Sequence, residues 1–165
     1  MKYKSDFSAI EFKNRLNDLI ENHSDDKFLN HFGNIITKQT QVTSGKVYSN
    51  YFVIWHYDIL WSGMFYSVNV GKIIDNGENC FIELYSKLNR FALILVTVIS
   101  FIIGYVIFTE IIIQKDNSFK FLLWRSLIGL ILFSLFQTVP IITYFDSKKN
   151  TVKMLTEKLQ LKNVC

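Results

Sequence analysis

The sequence has little of what marks a disulfide-stabilised domain or a metal centre. Its 165 residues include only two cysteines, Cys80 and Cys165, together with one proline and seven glycines. Two distant cysteines provide neither a disulfide framework nor the ligand spacing of a zinc site. We therefore expect reduced thiols and no structural metal.

Motifs for cofactor-dependent and nucleophilic catalysis are absent as well. The chain has no P-loop, no G-x-G-x-x-G, no C-x-x-C, no H-E-x-x-H and no G-x-S-x-G. The three histidines, His23, His31 and His56, are scattered, which favours surface or packed imidazoles over a metal site. We predict that the protein is not an enzyme and has no catalytic residue, no metal and no cofactor.

Apolar residues make up half of the chain, and many of them lie in two uncharged runs. Nineteen uncharged residues extend from Phe91 to Thr109, and twenty extend from Ser126 to Phe145. At about 1.5 Å per helical residue, each run matches the roughly 30 Å hydrocarbon thickness of a bilayer. We predict two transmembrane helices, with a pair of buried helices in a soluble domain as the alternative.

The segment between the two runs, Gln114 to Lys120, is so short that the helices must form an antiparallel hairpin. Basic residues mark the cytoplasmic side of such a hairpin. Two of them, Lys115 and Lys120, lie in the connector. On the terminal sides lie Lys87, Arg90, Lys148, Lys149, Lys153, Lys158 and Lys162. We therefore predict a membrane protein with both termini in the cytoplasm, where its net charge of +4 faces anionic lipid.

The first half of the chain has the pattern of a small α+β domain. Residues 1 to 32 have a helical pattern, in which Ser8 and Glu11 have the spacing of a capping box. Its apolar face is expected to pack on the sheet, with the membrane surface as the alternative. From Ile35 to Tyr85 the period changes to two, and Asn76-Gly77 predicts a type I′ hairpin turn. We expect an antiparallel meander of four or five strands.

The predicted fold class is therefore an α+β membrane protein with an N-terminal helix and a small antiparallel sheet, a two-helix transmembrane hairpin and a C-terminal amphipathic helix. The helical spacing in Thr151 to Leu161 predicts that last helix, which would dock on the sheet domain or on lipid headgroups. The predicted segments are a cytoplasmic domain over 1–88, helices over 89–113 and 121–145, an extracytoplasmic connector over 114–120 and a cytoplasmic C-terminal helix over 146–165.

Polar residues within the apolar runs are the candidate site residues. Glu110 and Arg125 are about equally far from the middle of the connector, and an unpaired charge in a bilayer is costly, so we predict an intramembrane ion pair. Thr97, Ser100 and Gly104 form a stripe of small residues on the first helix, which allows another helix to approach closely.

On the second helix, Ser126, Ser134 and Gln137 share one face. A lipid-facing amide is unfavourable, so this face should meet protein or water. One hypothesis is a homo-oligomeric ring in which Ser134 and Gln137 line an aqueous path. The alternative is tight packing within the hairpin of a monomer or dimer.

The strands are rich in aromatic residues, which could stack on the flat ring of a nucleotide or on RNA. Lys46 and Lys72 are the basic residues in that region. So few cations argue against a nucleic-acid partner, and core packing is the competing explanation for the aromatic residues. A cytoplasmic protein or nucleotide partner remains an open alternative.

Several short stretches resemble an uncharacterised family of small bacterial two-helix membrane proteins with a preceding β meander. They are Gly45-Lys46-Val47, Phe52-Val53-Ile54, Phe65 and Gly71-Lys72-Ile73, followed by the strand Phe81 to Tyr85 and the hairpin. Members carry an R-N-S-F-x-P-like segment, which is incomplete here at Ser62 to Ser67. The architecture is also similar to small membrane effectors of bacterial antiphage systems.

The polar membrane residues predict an oligomeric membrane-perturbing or pore-forming effector that is controlled by its cytoplasmic β-rich domain. The resemblance implies that it lies in the bacterial inner membrane and acts in antiphage defence. Its expected partners are the lipid bilayer and other copies of the chain. The second hypothesis is a membrane-tethered adaptor whose sheet recruits a protein or a nucleotide.

Overall fold

The computed structural model describes residues 1–36, 42–57, 64–113 and 119–164, without the side chains at 34, 35, 57, 110–113, 119–123 and 125. Within these ranges the fold is α+β, as predicted, with seven strands and four helices. The strands are β1 (Lys2–Ser5), β2 (Asn22–His23), β3 (Val42–Val47), β4 (Tyr51–Tyr57), β5 (Ser67–Asp75), β6 (Cys80–Leu88) and β7 (Lys162–Asn163). The helices are α1 (Ala9–Leu19), α2 (Phe28–Ile36), α3 (Arg90–Ile113) and α4 (Phe119–Lys158).

All seven strands form one sheet in the order β2-β3-β4-β5-β6-β1-β7. Strands β3 to β6 are the predicted antiparallel meander, and only the β2–β3 pair is parallel. The predicted turn at Asn76-Gly77 connects β5 to β6, but of these two residues only Gly77 has a positive φ, of 83°. The prediction of a type I′ turn, which requires two positive φ angles, is therefore wrong.

The N-terminal segment differs most from its predicted structure. Residues 2 to 5 were expected in a helix, yet they form β1 beside β6, with Tyr3 opposite Ile82. The helix begins only after Ser8, whose hydroxyl accepts the backbone N–H of Glu11 as the capping box predicts. The Glu11 carboxylate pairs with Arg15. Ile35 and Ile36, expected at the start of a strand, belong to α2.

The main core lies on one face of the sheet, which we call the core face. The apolar side of α1 packs there, with Phe12 and Leu16 fully buried. The end of α4 covers the same face through Leu155, and Leu159 follows directly after the helix. The apolar face of α1 is therefore used for packing on the sheet, as expected, and is not available for a membrane surface.

The opposite face of the sheet, which we call the open face, carries a smaller cluster. Its buried members come from β4, β5 and the residue before β5, and they are Val53, Trp55, Tyr66, Val68 and Val70. Among the described residues, α2 and the segment before it cover part of this face, through His31 packed on Trp55. Tyr85 of β6 is 60% exposed on the same face.

The predicted separate C-terminal helix is not present as such. A single helix, α4, runs for 40 residues from Phe119 to Lys158 and passes through Pro140. The boundary placed between positions 145 and 146 therefore falls inside a continuous helix. Because α4 packs antiparallel to α3 at one end and covers the sheet at the other, it connects the long apolar helices directly to the core.

Candidate functional site

A polar cavity lies on the open face, and we call it the open-face groove. Its volume is about 750 Å³. The floor comes from alternate residues of β4, β5 and β6, and the wall comes from the segment between β2 and α2. The lining residues are Asp25, Asp26, Lys27, Tyr48, Asn50, Tyr51, Val53, Val70, Lys72, Tyr85, Lys87 and Arg90.

Asp25 lies at the outer part of the groove. Its carboxylate accepts hydrogen bonds from the Lys46 ammonium at 3.0 Å and the Tyr48 hydroxyl at 2.9 Å, and Lys27 lies 3.6 Å away. The bonds from Lys46 and Tyr48 lower the pKa of Asp25 below its usual value of 3.8. Burial, together with the carboxylate of Asp25, raises the pKa of Tyr48 to about 12. Asp25 is therefore ionised, and Tyr48 is protonated, over the physiological range.

Asp26 is more buried than Asp25 and also has three side-chain partners. It lies 2.7 Å from Nε2 of His31, 2.5 Å from the Lys87 ammonium and 3.9 Å from the Arg90 guanidinium. Burial alone would raise its pKa, but the hydrogen bonds from His31 and Lys87 outweigh it and bring the pKa to about 2. Asp26 thus holds together α2, the end of β6 and the start of α3.

His31 completes this cluster in the interior. Its ring is fully buried, with Nδ1 bonded to the Tyr66 hydroxyl and Nε2 bonded to Asp26. The ring also packs on Trp55, with 4.8 Å between centroids. Because both ring nitrogens are bonded to the protein, the cluster anchors α2 to the sheet rather than presenting a free imidazole. Among the described residues, no group of three or more His, Cys, Asp or Glu side chains is placed to hold a metal ion.

The open-face groove combines basic side chains with exposed aromatic rings. Four basic side chains lie in its lining, and three of them, Lys27, Lys87 and Arg90, pair with Asp25 or Asp26. Tyr51 and Tyr85 expose their rings at the rim, and Tyr51 stacks on Tyr48 with 4.3 Å between centroids. Phosphate and an aromatic base are the ligand groups that such cations and rings bind.

The sequence pattern alone did not identify this groove. For the aromatic strands, stacking on a ligand and core packing were left as alternatives, and the cations assigned to that region were Lys46 and Lys72. The fold adds Lys27 from before α2, Lys87 from the end of β6 and Arg90 from the start of α3. No local motif signals this combination, because the residues come together only through the sheet and the docking of α2.

A second polar network joins the sheet to the long helices. Asn89, fully buried, caps α3 by accepting the N–H of Ala92 and donates to the carbonyls of Met64 and Tyr66. From α4, the Ser147 hydroxyl accepts the Ser67 N–H at 3.0 Å. These bonds fix both helices to the same end of the sheet, where β5 begins and β6 ends.

Of the candidate site residues in the apolar helices, the structure brings Ser100 and Gln137 together. The Gln137 amide donates to the Ser100 hydroxyl at 2.5 Å, and Ser100 donates to the Val96 carbonyl. The helices also approach closely at Gly129, beside Ile107. The Gln137 amide, which would be unfavourable in contact with lipid, is thus hydrogen-bonded inside the hairpin.

The other predicted residues are more scattered. Thr97 and Gly104 line a groove on α3 with a volume of about 590 Å³, to which Ser100 also contributes. Ser134 is exposed and Ser126 is half-buried on α4. The predicted ion pair between the side chains at positions 110 and 125 lies outside the described residues.

Comparisons with family models, with curated proteins and with solved structures found no match to this chain. The family resemblance and the similarity to antiphage effectors therefore stay predictions, which depend on the residues quoted above.

Proposed function

We propose that this chain is a membrane effector of the bacterial inner membrane. In this proposal α3 and α4 cross the bilayer as a hairpin, copies associate through the hairpin to perturb the membrane, and the cytoplasmic sheet domain controls that association. The observation that carries the proposal is the continuity of α4, which extends from the exposed apolar region into the core of the sheet domain.

The exposure of the apolar helices supports insertion in a bilayer. Arg90–Thr109 and Ser126–Lys158 are long and apolar enough to cross a membrane. Only 6% of the most apolar stretch of the first and 11% of that of the second is buried within the protein. A core helix of a soluble domain would be mostly buried, and water disfavours so much exposed apolar surface, at roughly 25 cal/mol per Å².

The distribution of basic residues supports a cytoplasmic sheet domain. Lys87 and Arg90 lie where β6 passes into α3, and Lys148 and Lys149 lie at the corresponding level of α4. These cations would face the anionic headgroups of the cytoplasmic leaflet. Both termini lie on the sheet side of the hairpin, since β1 and β7 pair with each other.

Coupling between the sheet and the hairpin follows from the junction. Asn89 and Ser147 tie α3 and α4 to the strand that begins at Ser67, and the Tyr144 hydroxyl donates to the Ser86 carbonyl at 2.9 Å. No linker separates these bonds from the apolar helices. A shift of the strands on binding a ligand would therefore move the hairpin.

For association between copies, the open surface along α3 is the favoured contact. Ser100 and Gln137 are bonded to each other, so lining a pore with Gln137 would require repacking of the hairpin. Gly104 instead has nothing within 4 Å of the place where a side chain would lie. We place the contact between copies at Thr97 and Gly104 and leave Ser134 as the polar group beside an aqueous path.

The first test concerns insertion. The membrane fraction should retain the protein after washing, and only detergent should release it. A monomer that stays in the supernatant after high-speed centrifugation without detergent would exclude the proposal.

The second test concerns association. Gly104→Leu should fill the groove on α3, lower the mass of the detergent-solubilised complex and reduce dye leakage from vesicles. Val98→Leu, on the same helix but outside that groove, is the matched control and should behave as the wild type. A wild-type monomer, or a Gly104→Leu complex of unchanged mass and leakage, would contradict association at this surface.

The open-face groove favours a second candidate function, a membrane-tethered module that binds a nucleotide. We expect ADP to bind there more tightly than inorganic phosphate, because the exposed tyrosines add ring contacts. Lys72→Gln should weaken ADP binding in calorimetry, whereas Lys158→Gln, outside the groove, should not. Equal binding by the wild type and Lys72→Gln would argue against this function.

A further inference from the structure

We propose that α2 is an in-plane membrane helix, whose apolar face lies in the headgroup region of the same bilayer that α3 and α4 cross. The proposal rests on membrane insertion of those two helices and adds a third contact between the protein and lipid. It concerns a surface of the sheet domain that the proposed effector function does not use.

Four apolar residues of α2 point outward. Phe28, Leu29, Phe32 and Ile36 follow helical spacing, and all four are exposed. The polar His31 is instead fully buried against the sheet. A helix on the surface of a soluble domain buries its apolar stripe and exposes its polar residues, so α2 is turned the other way.

This apolar face continues into the lipid-facing surface of α3. The rings of Phe28 and Phe32 contact Phe91, in the first turn of α3, with centroids 5.4 and 5.6 Å apart. Exposed Leu93 and Ile94 follow directly on α3. The apolar face of α2 therefore lies at the level where α3 would enter the hydrocarbon region, and its surface is continuous with that of the spanning helix.

The charges around α2 match the headgroup region. Lys27, Lys87 and Arg90 surround its first turn and keep much of their side chains exposed, at 71%, 40% and 61%. An in-plane helix combines such cations with aromatic and aliphatic residues that enter the boundary between headgroups and acyl chains. Anionic phospholipid is thus the occupant whose chemistry fits both parts of the surface.

Asp26 and His31 fix the orientation that this contact requires. His31 bonds to Asp26 and to Tyr66, which belongs to the cluster on the open face. With its polar side held on the sheet, α2 cannot rotate to bury its phenylalanines. The helix is therefore presented to the membrane as a fixed surface.

The experiment uses a nitroxide spin label at single cysteines in the full chain, with Cys165→Ser removing the terminal thiol and Cys80 left buried. The label is placed by Leu29→Cys on α2, Ile10→Cys on α1 or Ile102→Cys on α3, the last outside the groove proposed as the contact between copies. Leu29 and Ile10 are matched in exposure, at 73% and 72%, and Ile102 is 57% exposed. Each protein is reconstituted in vesicles of phosphatidylethanolamine and phosphatidylglycerol, and the collision rates of the label with oxygen and with a water-soluble nickel chelate are measured.

We expect the label at Leu29→Cys to meet more oxygen and less nickel chelate than the label at Ile10→Cys, at a shallower depth than the label at Ile102→Cys. If the label at Ile102→Cys is lipid-exposed while the label at Leu29→Cys meets the chelate as freely as that at Ile10→Cys, the inference about α2 is wrong and membrane insertion stands. An immobilised label at Leu29→Cys, shielded from both reagents, would indicate a second copy on α2 and would also overturn it. A label at Ile102→Cys that is in water would instead exclude the proposed function.

Discussion

The two halves of α4 differ in which residues they expose and which they bury, although they form one uninterrupted helix. In the first half, large apolar residues such as Leu130, Leu132 and Leu135 are exposed. In the second half, small polar residues and leucines such as Ser147, Thr151 and Leu155 are buried against the sheet. A helix that exposes leucine at one end and buries serine at the other is adapted to two different surroundings, which we take to be lipid and the protein core.

The largest expected effect tests the buried half. Leu155→Ala should lower the free energy of unfolding by about 2–5 kcal/mol, because it leaves a cavity in the core between α4 and the sheet. The matched control is Leu132→Ala in the exposed half, where the side chain is 61% exposed and a change of about 0.5 kcal/mol or less is expected. Denaturant unfolding of the detergent-solubilised proteins measures both. Equal destabilisation by the two variants would show that the two halves of α4 do not differ in burial.

The next effect tests the exposed half. Leu132→Lys should disfavour membrane insertion by about 2.5–3.5 kcal/mol, the cost of a lysine near the centre of a spanning helix. Glu157→Lys, at an exposed position of the other half, should insert as the wild type does. The measurement is the fraction of protein that stays with washed membranes. A Leu132→Lys protein that is retained like the wild type would show that this half does not lie in lipid.

The third effect concerns Asp26, at the junction between the sheet domain and the apolar helix α3. The pKa of Asp26 is about 2 in the folded protein against an ordinary 3.8, so its ionised form contributes stability above about pH 4. As the pH falls from about 4 to about 2, that contribution, about 2 kcal/mol, should be lost and α2 should detach from the sheet. Unfolding followed by tryptophan fluorescence measures this dependence, in a background of Trp61→Phe and Trp124→Phe that leaves the buried Trp55.

Two variants separate the contributions of the neighbouring carboxylates. Asp26→Asn should be less stable at neutral pH and should lose most of the dependence between pH 2 and 4. Asp25→Asn should keep most of it, because Asp25 lies at the outer part of the groove. An unchanged acid dependence in Asp26→Asn would assign the stability to another group.

Much of this organisation follows from local sequence. The Ser8 cap, the four-strand meander and the two long apolar helices each depend on residues that are close in the chain. Strand β1 was not predicted because four residues are too few to show the alternation of apolar and polar residues. Its partner β6 lies about 80 residues further along the chain. The uninterrupted α4 was missed because its composition changes near Asp146 while its backbone does not.

The candidate site was less predictable because its residues are distant in the chain and meet only in the folded protein. Asp26, His31 and Tyr66 are ordinary residues in sequence, and their bonds depend on how α2 docks against the sheet. Phe28, Leu29 and Phe32 follow helical spacing in the sequence. Which side of that helix would be buried depended on His31, whose partners come from elsewhere in the fold.

The smallest effect compares two serines on α4. Ser147→Ala should lower the free energy of unfolding by about 1 kcal/mol, because the buried N–H of Ser67 loses its acceptor. Ser134→Ala, in the exposed half, removes a hydroxyl that is not buried and should change stability by a few tenths of a kcal/mol or less. Since both variants delete the same atom from the same helix, a difference between their denaturation midpoints reports only the surroundings. Equal midpoints would mean that the junction between the sheet and the apolar helices does not depend on Ser147, and coupling between these regions would then have to pass through Asn89 and Tyr144.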